Sequence, residues 1–243
     1  MTNVMLLSTD ETSQSLLEPT RDQNGLSVFQ SAFLGNTRLY DDIVVVTSPQ
    51  HYFTALDQID ELKCHREPYF LLESLGKGSA ASVLLACHSL CPESIVLISY
   101  LHNPMENKED CKKIFKDAEA LAKQGLIIEM HSVNDHLQTY SMQLTMPDEV
   151  TDHAEENPEN HFYCFEVKIF LEAIKAYFPE LYETSKQAYK NAEHNEIASR
   201  IFMEDIRMIP ELHFHELLQP MNTLDQKILS GPIKRTVIRS LKP

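Results

Sequence analysis

Glu73, Gly76, Lys77, Gly78 and Ser79 fall close together in the stretch YFLLESLGKGSAASVLLA, Tyr69 to Ala86. An apolar, strand-like run leads into two glycines flanking a lysine, and a helix-like pattern of small and apolar residues follows. Glycine lets backbone N–H groups approach a ligand, lysine supplies positive charge, and a helix N-terminus favours anions. The stretch therefore has the parts of a phosphate cradle. It equally has the parts of a strand-to-helix turn, with Ser79 as N-cap and the glycines relaxing the backbone. Both readings stand on the sequence.

Two other clusters could do chemistry. ELHFHELL sets His213 and His215 two apart, so on a strand both would face one side with Glu211 and Glu216 nearby, as metal ligands can. Without a distant partner they read as an exposed polar edge. Cys87 and Cys91, four apart in an apolar helical pattern beside His88, read as small core residues on one helix face, because no second Cys/His pair has ligand spacing. No serine or cysteine nucleophile lies beside a base in RMIPELHFHELL or LTMPDE.

The elements that would position these residues alternate. DIVVVTSP, Asp42 to Pro49, is a β-branched run closed by a turn, and PQHYFTALDQIDELK follows at helical spacing. YFLLE then precedes SAASVLLACHSL, and SIVLIS precedes ENKEDCKKIFKDAEALAKQ and GLIIEM. Short apolar strands separated by helices predict an α/β architecture: a mixed, mostly parallel sheet with helices on both faces and ligands at the strand carboxyl ends. MPDEVTDHAEENPEN reads as an exposed loop, HFYCFEV as a strand, and KIFLEAIKAYFPELYETSKQAYKNAEHNEIASRIF as helix broken before Pro179. The last stretch, NTLDQKILSGPIKRTVIRSLKP, reads as a short helix and a β-rich segment.

Composition narrows the classes. The chain has 243 residues, 43% hydrophobic, enough for a substantial core. Its formal charge of −15 is opposite to what a polyphosphate backbone attracts, so no nucleic-acid partner is expected and a basic protein partner is. The five cysteines are an odd number and read as reduced thiols. No apolar run approaches the roughly 20 residues of a membrane span, and the N-terminus lacks a signal peptide's features, so the expected localisation is cytoplasmic without membrane association.

The order of the pieces carries a resemblance. IVVVTSPQHYFTALDQI, then LLESLGKGSAASVLLA, then SIVLIS resembles the mannose-1-phosphate guanylyltransferases, or GDP-mannose pyrophosphorylases. Those enzymes have a strand ending V-T, a nearby histidine, a Q-I or Q-L helix end, and E-P-x-G-R-N-T-A-P-A opening a helix. Glu73, Gly76 and Ala80 keep that pattern, Lys77 and Ser79 are close replacements for its Arg and Thr, and Gly78 and Ala81 depart from it. FEVKIFLEAIKAYFPELYE is similar to F-R-x-x-x-F-L-E-x-x-K-x-Y-x-P-E-I-Y-E, and TLDQKIL to S-I-D-Y-A-V-M, which matches Asp225 to a family aspartate. A helix-start carboxylate accounts for Asp225 equally well.

The resemblance implies a Rossmann-like nucleotide-diphospho-sugar transferase fold over a single domain, 1–243, without the C-terminal β-helical region such enzymes carry. It implies attack of mannose 1-phosphate on the α-phosphorus of GTP, giving GDP-mannose and pyrophosphate. That chemistry needs Mg²⁺, cationic side chains and backbone donors. The expected ligands are a guanine nucleotide or nucleotide-sugar, with Glu73, Gly76, Lys77 and Ser79 as candidate contacts.

The same alignment implies that catalysis is lost or weak. The family's G-G-x-G-T-R-L-x-P loop is replaced by TDETSQSLLEP, where Asp10 and Glu11 set negative charge in the way of phosphate. In the family's P-A-D-H, His102 is matched but Leu101 replaces the metal-binding aspartate, and leucine offers Mg²⁺ no oxygen. Met146 falls where the E-K-P lysine belongs, only Asn160 hints at N-S-G, and W-x-D-x-G would lie beyond Pro243. No catalytic or metal residue is assigned, and Mg²⁺ is expected only if activity remains. The alternative is a non-catalytic regulatory or protein-interaction module.

Overall fold

The structure, a computed structural model, describes residues 1–7, 17, 25–40, 42–64, 66–74, 76–100, 108–132, 142–143 and 161–223. Its first half is a strand–helix alternation: β1 (Thr2–Leu6), α1 (Val28–Thr37), β2 (Asp42–Thr47), α2 (Pro49–Glu61), β3 (Tyr69–Leu72), α3 (Ser79–Ser89), β4 (Ile95–Tyr100), α4 (Lys108–Ala122) and β5 (Ile128–Ser132). There follow β6 (Met142–Gln143), β7 (His161–Glu166), α5 (Val167–Tyr177), α6 (Pro179–Asn191), β8 (Glu193–His194), β9 (Ala198–Arg200), α7 (Met203–Met208) and α8 (Phe214–Thr223).

The described strands form one sheet in the order β6-β5-β7-β4-β1-β2-β3-β9-β8. β1 pairs in parallel with β2 and β4, and β3 with β2 and β9. β7 runs antiparallel to both β4 and β5, so the sheet is mixed and mostly parallel in its centre. Ile43 to Thr47 of β2 and Ile95 to Ser99 of β4 are buried without interruption, as strands covered on both faces must be.

Alternation along the strands sorts the core into two faces. Val4, Leu6, Val44, Val46 and Leu71 pack with Ala80, Phe170, Leu181 and Phe214, from α3, α5, α6 and α8. Met5, Val45, Phe70 and Leu72 pack with Phe29 and Phe33 of α1 and Ala55 and Ile59 of α2. Leu97, Phe162 and Cys164 pack with Phe115, Ala118 and Ala122 of α4. The arrangement follows from right-handed crossovers. The chain steps from β1 to β2 to β3 with α1 and α2 on one face, then returns past β1 to β4, which puts α3 on the other.

Two readings of the sequence are corrected. The helical stretch after Pro179 ends at Asn191, and Ala192 to Arg200 form a short hairpin, β8–β9. Asn195 drives this turn, its side-chain oxygen accepting from the Ile197 N–H at 2.9 Å and the Ala198 N–H at 2.7 Å. The ELHFHELL segment is not a strand: His215 lies in α8 and His213 just before it, where its N–H donates to the Glu216 carboxylate at 2.6 Å. The expected break before Pro179 is present, α5 ending at Tyr177 and α6 beginning at Pro179. No helix among the described residues is long and apolar enough to cross a membrane.

Candidate functional site at the carboxyl ends of β2 and β3

Glu73 is the first residue beyond β3, and its N–H donates to the Thr47 carbonyl at 2.9 Å, extending the β2–β3 ladder by one step. Two residues after Leu71, it shares Leu71's face and reaches α3, where the Ser82 hydroxyl donates to Glu73 Oε1 at 2.6 Å. The residue is 1% exposed, and its second oxygen, Oε2, has no hydrogen-bond partner. Burial pushes the carboxyl up to about 7, against the lowering effect of the Ser82 bond. Near neutrality Glu73 is therefore a mixture of carboxylate and carboxylic acid, able to accept or to donate at Oε2.

The loop after Glu73 is built on glycine. Gly76 and Gly78 have φ of 54° and 81°, a region costly for residues with a Cβ. At Gly78 space is decisive as well: a Cβ there would lie 2.3 Å from the carbonyl oxygen of Leu212. Gly78 caps α3 without any side-chain bond, so the reading of Ser79 as N-cap is corrected. Ser79 is the first residue of α3, and its hydroxyl accepts from the Phe214 N–H at 2.9 Å, capping α8 instead.

The Leu212 peptide closes the same corner. Its carbonyl accepts from the Ala80 N–H at 3.2 Å and its N–H donates to the Lys77 carbonyl at 3.4 Å. Of the four candidate contacts, Ser79 is thus engaged by the chain itself and Lys77 shares its carbonyl, while Gly76 is exposed. Glu73 alone presents a buried polar atom with nothing to bond.

Three further side chains at the same sheet edge share that property. Thr47 Oγ1, Ser48 Oγ and Ser74 Oγ are buried without hydrogen-bond partners. Thr47 is fully buried and Ser48 is 6% exposed. Sequence reading passed over them, although hydroxyl residues directly after a β-branched run, in VVVTSP, were the available signal.

The remaining sequence candidates separate. Asp10, Glu11, Leu101, His102, Met146, Asn160 and Asp225 lie outside the described residues. The rings of His213 and His215 stack at 5.9 Å, and no group of three or more His, Cys, Asp or Glu among the described residues is placed to hold a metal. Cys87 is buried in α3, which raises its thiol pKa, whereas Cys91 is exposed beyond the helix end.

No family model and no curated protein matches this chain. Solved structures do. The chain is similar to mannose-6-phosphate isomerase from Helicobacter pylori, with a TM-score of 0.69 and 17% identity, covering 89% of this chain and 91% of the other. It is also similar to mannose-1-phosphate geranyltransferase from Thermus thermophilus, with a TM-score of 0.62 and 13% identity, covering 88% and 69%. At these identities the likeness carries the architecture alone: the α/β, Rossmann-like fold of nucleotide-diphospho-sugar transferases.

Proposed function

We propose that this chain is a mannose-1-phosphate guanylyltransferase-like protein that retains a nucleotide-binding edge and has lost most or all of its sugar-nucleotide synthesis. The single observation that carries the reading is the open Oε2 of Glu73, buried at the carboxyl end of β3. A carboxylate with a free acceptor suits the adjacent N1–H and exocyclic amine of guanine, and leaving such an atom unpaired costs about 1–3 kcal/mol that a ligand would recover. Weak catalysis follows from the sequence: acidic residues stand in place of the glycine-rich phosphate loop, and Leu101 in place of a metal-binding aspartate.

Calorimetric titration with GTP and GDP-mannose, with and without Mg²⁺, tests the reading. Saturable binding that ignores Mg²⁺ and weakens about tenfold or more in Glu73→Gln is expected. Pyrophosphate release from GTP and mannose 1-phosphate, at a rate ordinary for such enzymes, would overturn the loss of catalysis.

A second reading is a regulatory or protein-interaction module on this fold. It is favoured by the engagement of Ser79 and Ala80 with Phe214 and Leu212 rather than with open space, and the charge of −15 then points to a basic partner. Absence of any thermal shift with either nucleotide would favour it over the first.

A further inference from the structure

We propose that the N-terminus of α2 is a binding site for a compact phosphate-type oxyanion, held by the hydroxyls of Thr47 and Ser48 and the free end of the helix. The inference does not depend on nucleotide binding at Glu73. α2 is a 13-residue helix whose first turn carries no acidic side chain of its own to offset the positive dipole end. Ser48 is the N-cap residue, of a type that ordinarily accepts a first-turn N–H, yet its side chain makes no capping bond. Its hydroxyl sits at the helix end, buried and unpaired.

Thr47 supplies the second, independent group. Two residues after Val45, which packs with Ala55 and Ile59 of α2, it lies on the α2 face of the sheet, and its Oγ1 is buried with no partner. Ser74 Oγ, also buried and unpaired, follows the ladder step at which the Glu73 N–H meets the Thr47 carbonyl. The first turn's own backbone adds a donor: Pro49 has no N–H and the His51 N–H turns back to the Ser48 carbonyl at 3.1 Å, while Gln50, second in the helix, carries an N–H for which the helix itself supplies no acceptor.

Several neutral donors beside a helix N-terminus match an oxyanion, which disperses its charge over several acceptor oxygens. The Glu73 carboxyl does not serve a hard cation here, because it points to the opposite face and bonds Ser82 of α3. Phosphate of this kind comes from two sources, free inorganic phosphate or the phosphoryl end of a sugar phosphate.

The test titrates the full chain with inorganic phosphate and, separately, with mannose 1-phosphate at constant ionic strength, with chloride as control. Melting temperature and calorimetric heat are read. A saturable rise in melting temperature with phosphate, absent with chloride, is expected, with affinity falling at least tenfold in Ser48→Ala and in Thr47→Val. A response to mannose 1-phosphate alone assigns the site to the phosphoryl group of an ester, and a response to both assigns it to phosphate generally. No saturable response, or one unchanged in both variants, overturns the proposal and leaves ordered water on these hydroxyls. Because both substitutions remove only an unpaired hydroxyl, the variants are expected to fold, and their unliganded melting curves check this. Phosphate binding that survives in Glu73→Gln while GTP binding is lost separates the two sites.

Discussion

The Ser82 hydroxyl holds one carboxyl oxygen of Glu73 at 2.6 Å and leaves the other, equally buried, without a partner. The pair joins the end of β3 to the second turn of α3. It thereby fixes the direction in which the only unused atom of this buried acid points.

The acid should mark itself in the pH dependence of stability. The Glu73 carboxyl rises from an ordinary 4.5 to about 7 on folding, so the folded chain binds this proton more tightly than the unfolded chain does. Its contribution is fully present below about pH 4.5 and is lost as the pH rises toward 7. Melting temperatures of Glu73→Gln against wild type should converge in acid and separate in favour of the variant above neutrality. Ser82→Ala, by deleting a bond that lowers the value, should move the wild-type transition to higher pH.

His88 should do the reverse. Burial, with the Lys186 ammonium adding repulsion, lowers its pKa from 6.5 to about 4, and its Nε2 lies 3.1 Å from the Ser185 hydroxyl. The folded state therefore disfavours the proton. Stability from this site is present above 6.5 and is lost as the pH falls toward 4. Urea unfolding of His88→Gln from about pH 4 to 7 should lack the acid-side decline that wild type shows.

Gly78 should tolerate no side chain. Gly78→Ala combines a φ of 81° with a Cβ 2.3 Å from the Leu212 oxygen, a backbone atom that cannot swing aside. A loss of about 2–5 kcal/mol in denaturant unfolding is expected, with faster amide exchange around 210–216. Gly125→Ala provides the contrast: its φ is 85° but nothing lies within 4 Å, so roughly 1–2 kcal/mol of backbone strain is the whole cost.

Ser79→Ala should act on a helix distant in sequence. The Ser79 hydroxyl accepts from Phe214, so its loss uncaps α8 rather than α3. About 1 kcal/mol of destabilisation is expected, with exchange protection lost at Phe214 first. A uniform loss of protection across α3 instead would contradict the assignment.

The contrast between Ser79 and Ser27 shows where sequence reading stops. Ser27 caps its own helix, accepting from the Gln30 N–H at 3.0 Å while Gln30 returns a bond to the Ser27 backbone. That local signature was present in SVFQ, although sequence reading did not pick out α1. The bond from Phe214 to Ser79 spans 135 positions, and no local pattern encodes it. The alternation of strands and helices from β2 to β5 was legible because period and turn residues are local. The direction of β7 was not, since His161 to Glu166 has the same apolar run whichever way it pairs. At the site, Glu73 and the glycines stood out by type. Thr47 and Ser48 matter through the bonds they fail to make, which only packing reveals.

Beyond β9, among the described residues, the sheet finishes in β8, just Glu193 and His194, both exposed. An incoming strand would find there one or two steps of backbone and a charged carboxylate. On this flank the protein is poorly suited to template fibres or swapped sheets, so crowding in a concentrated solution should be met without polymerisation from this border.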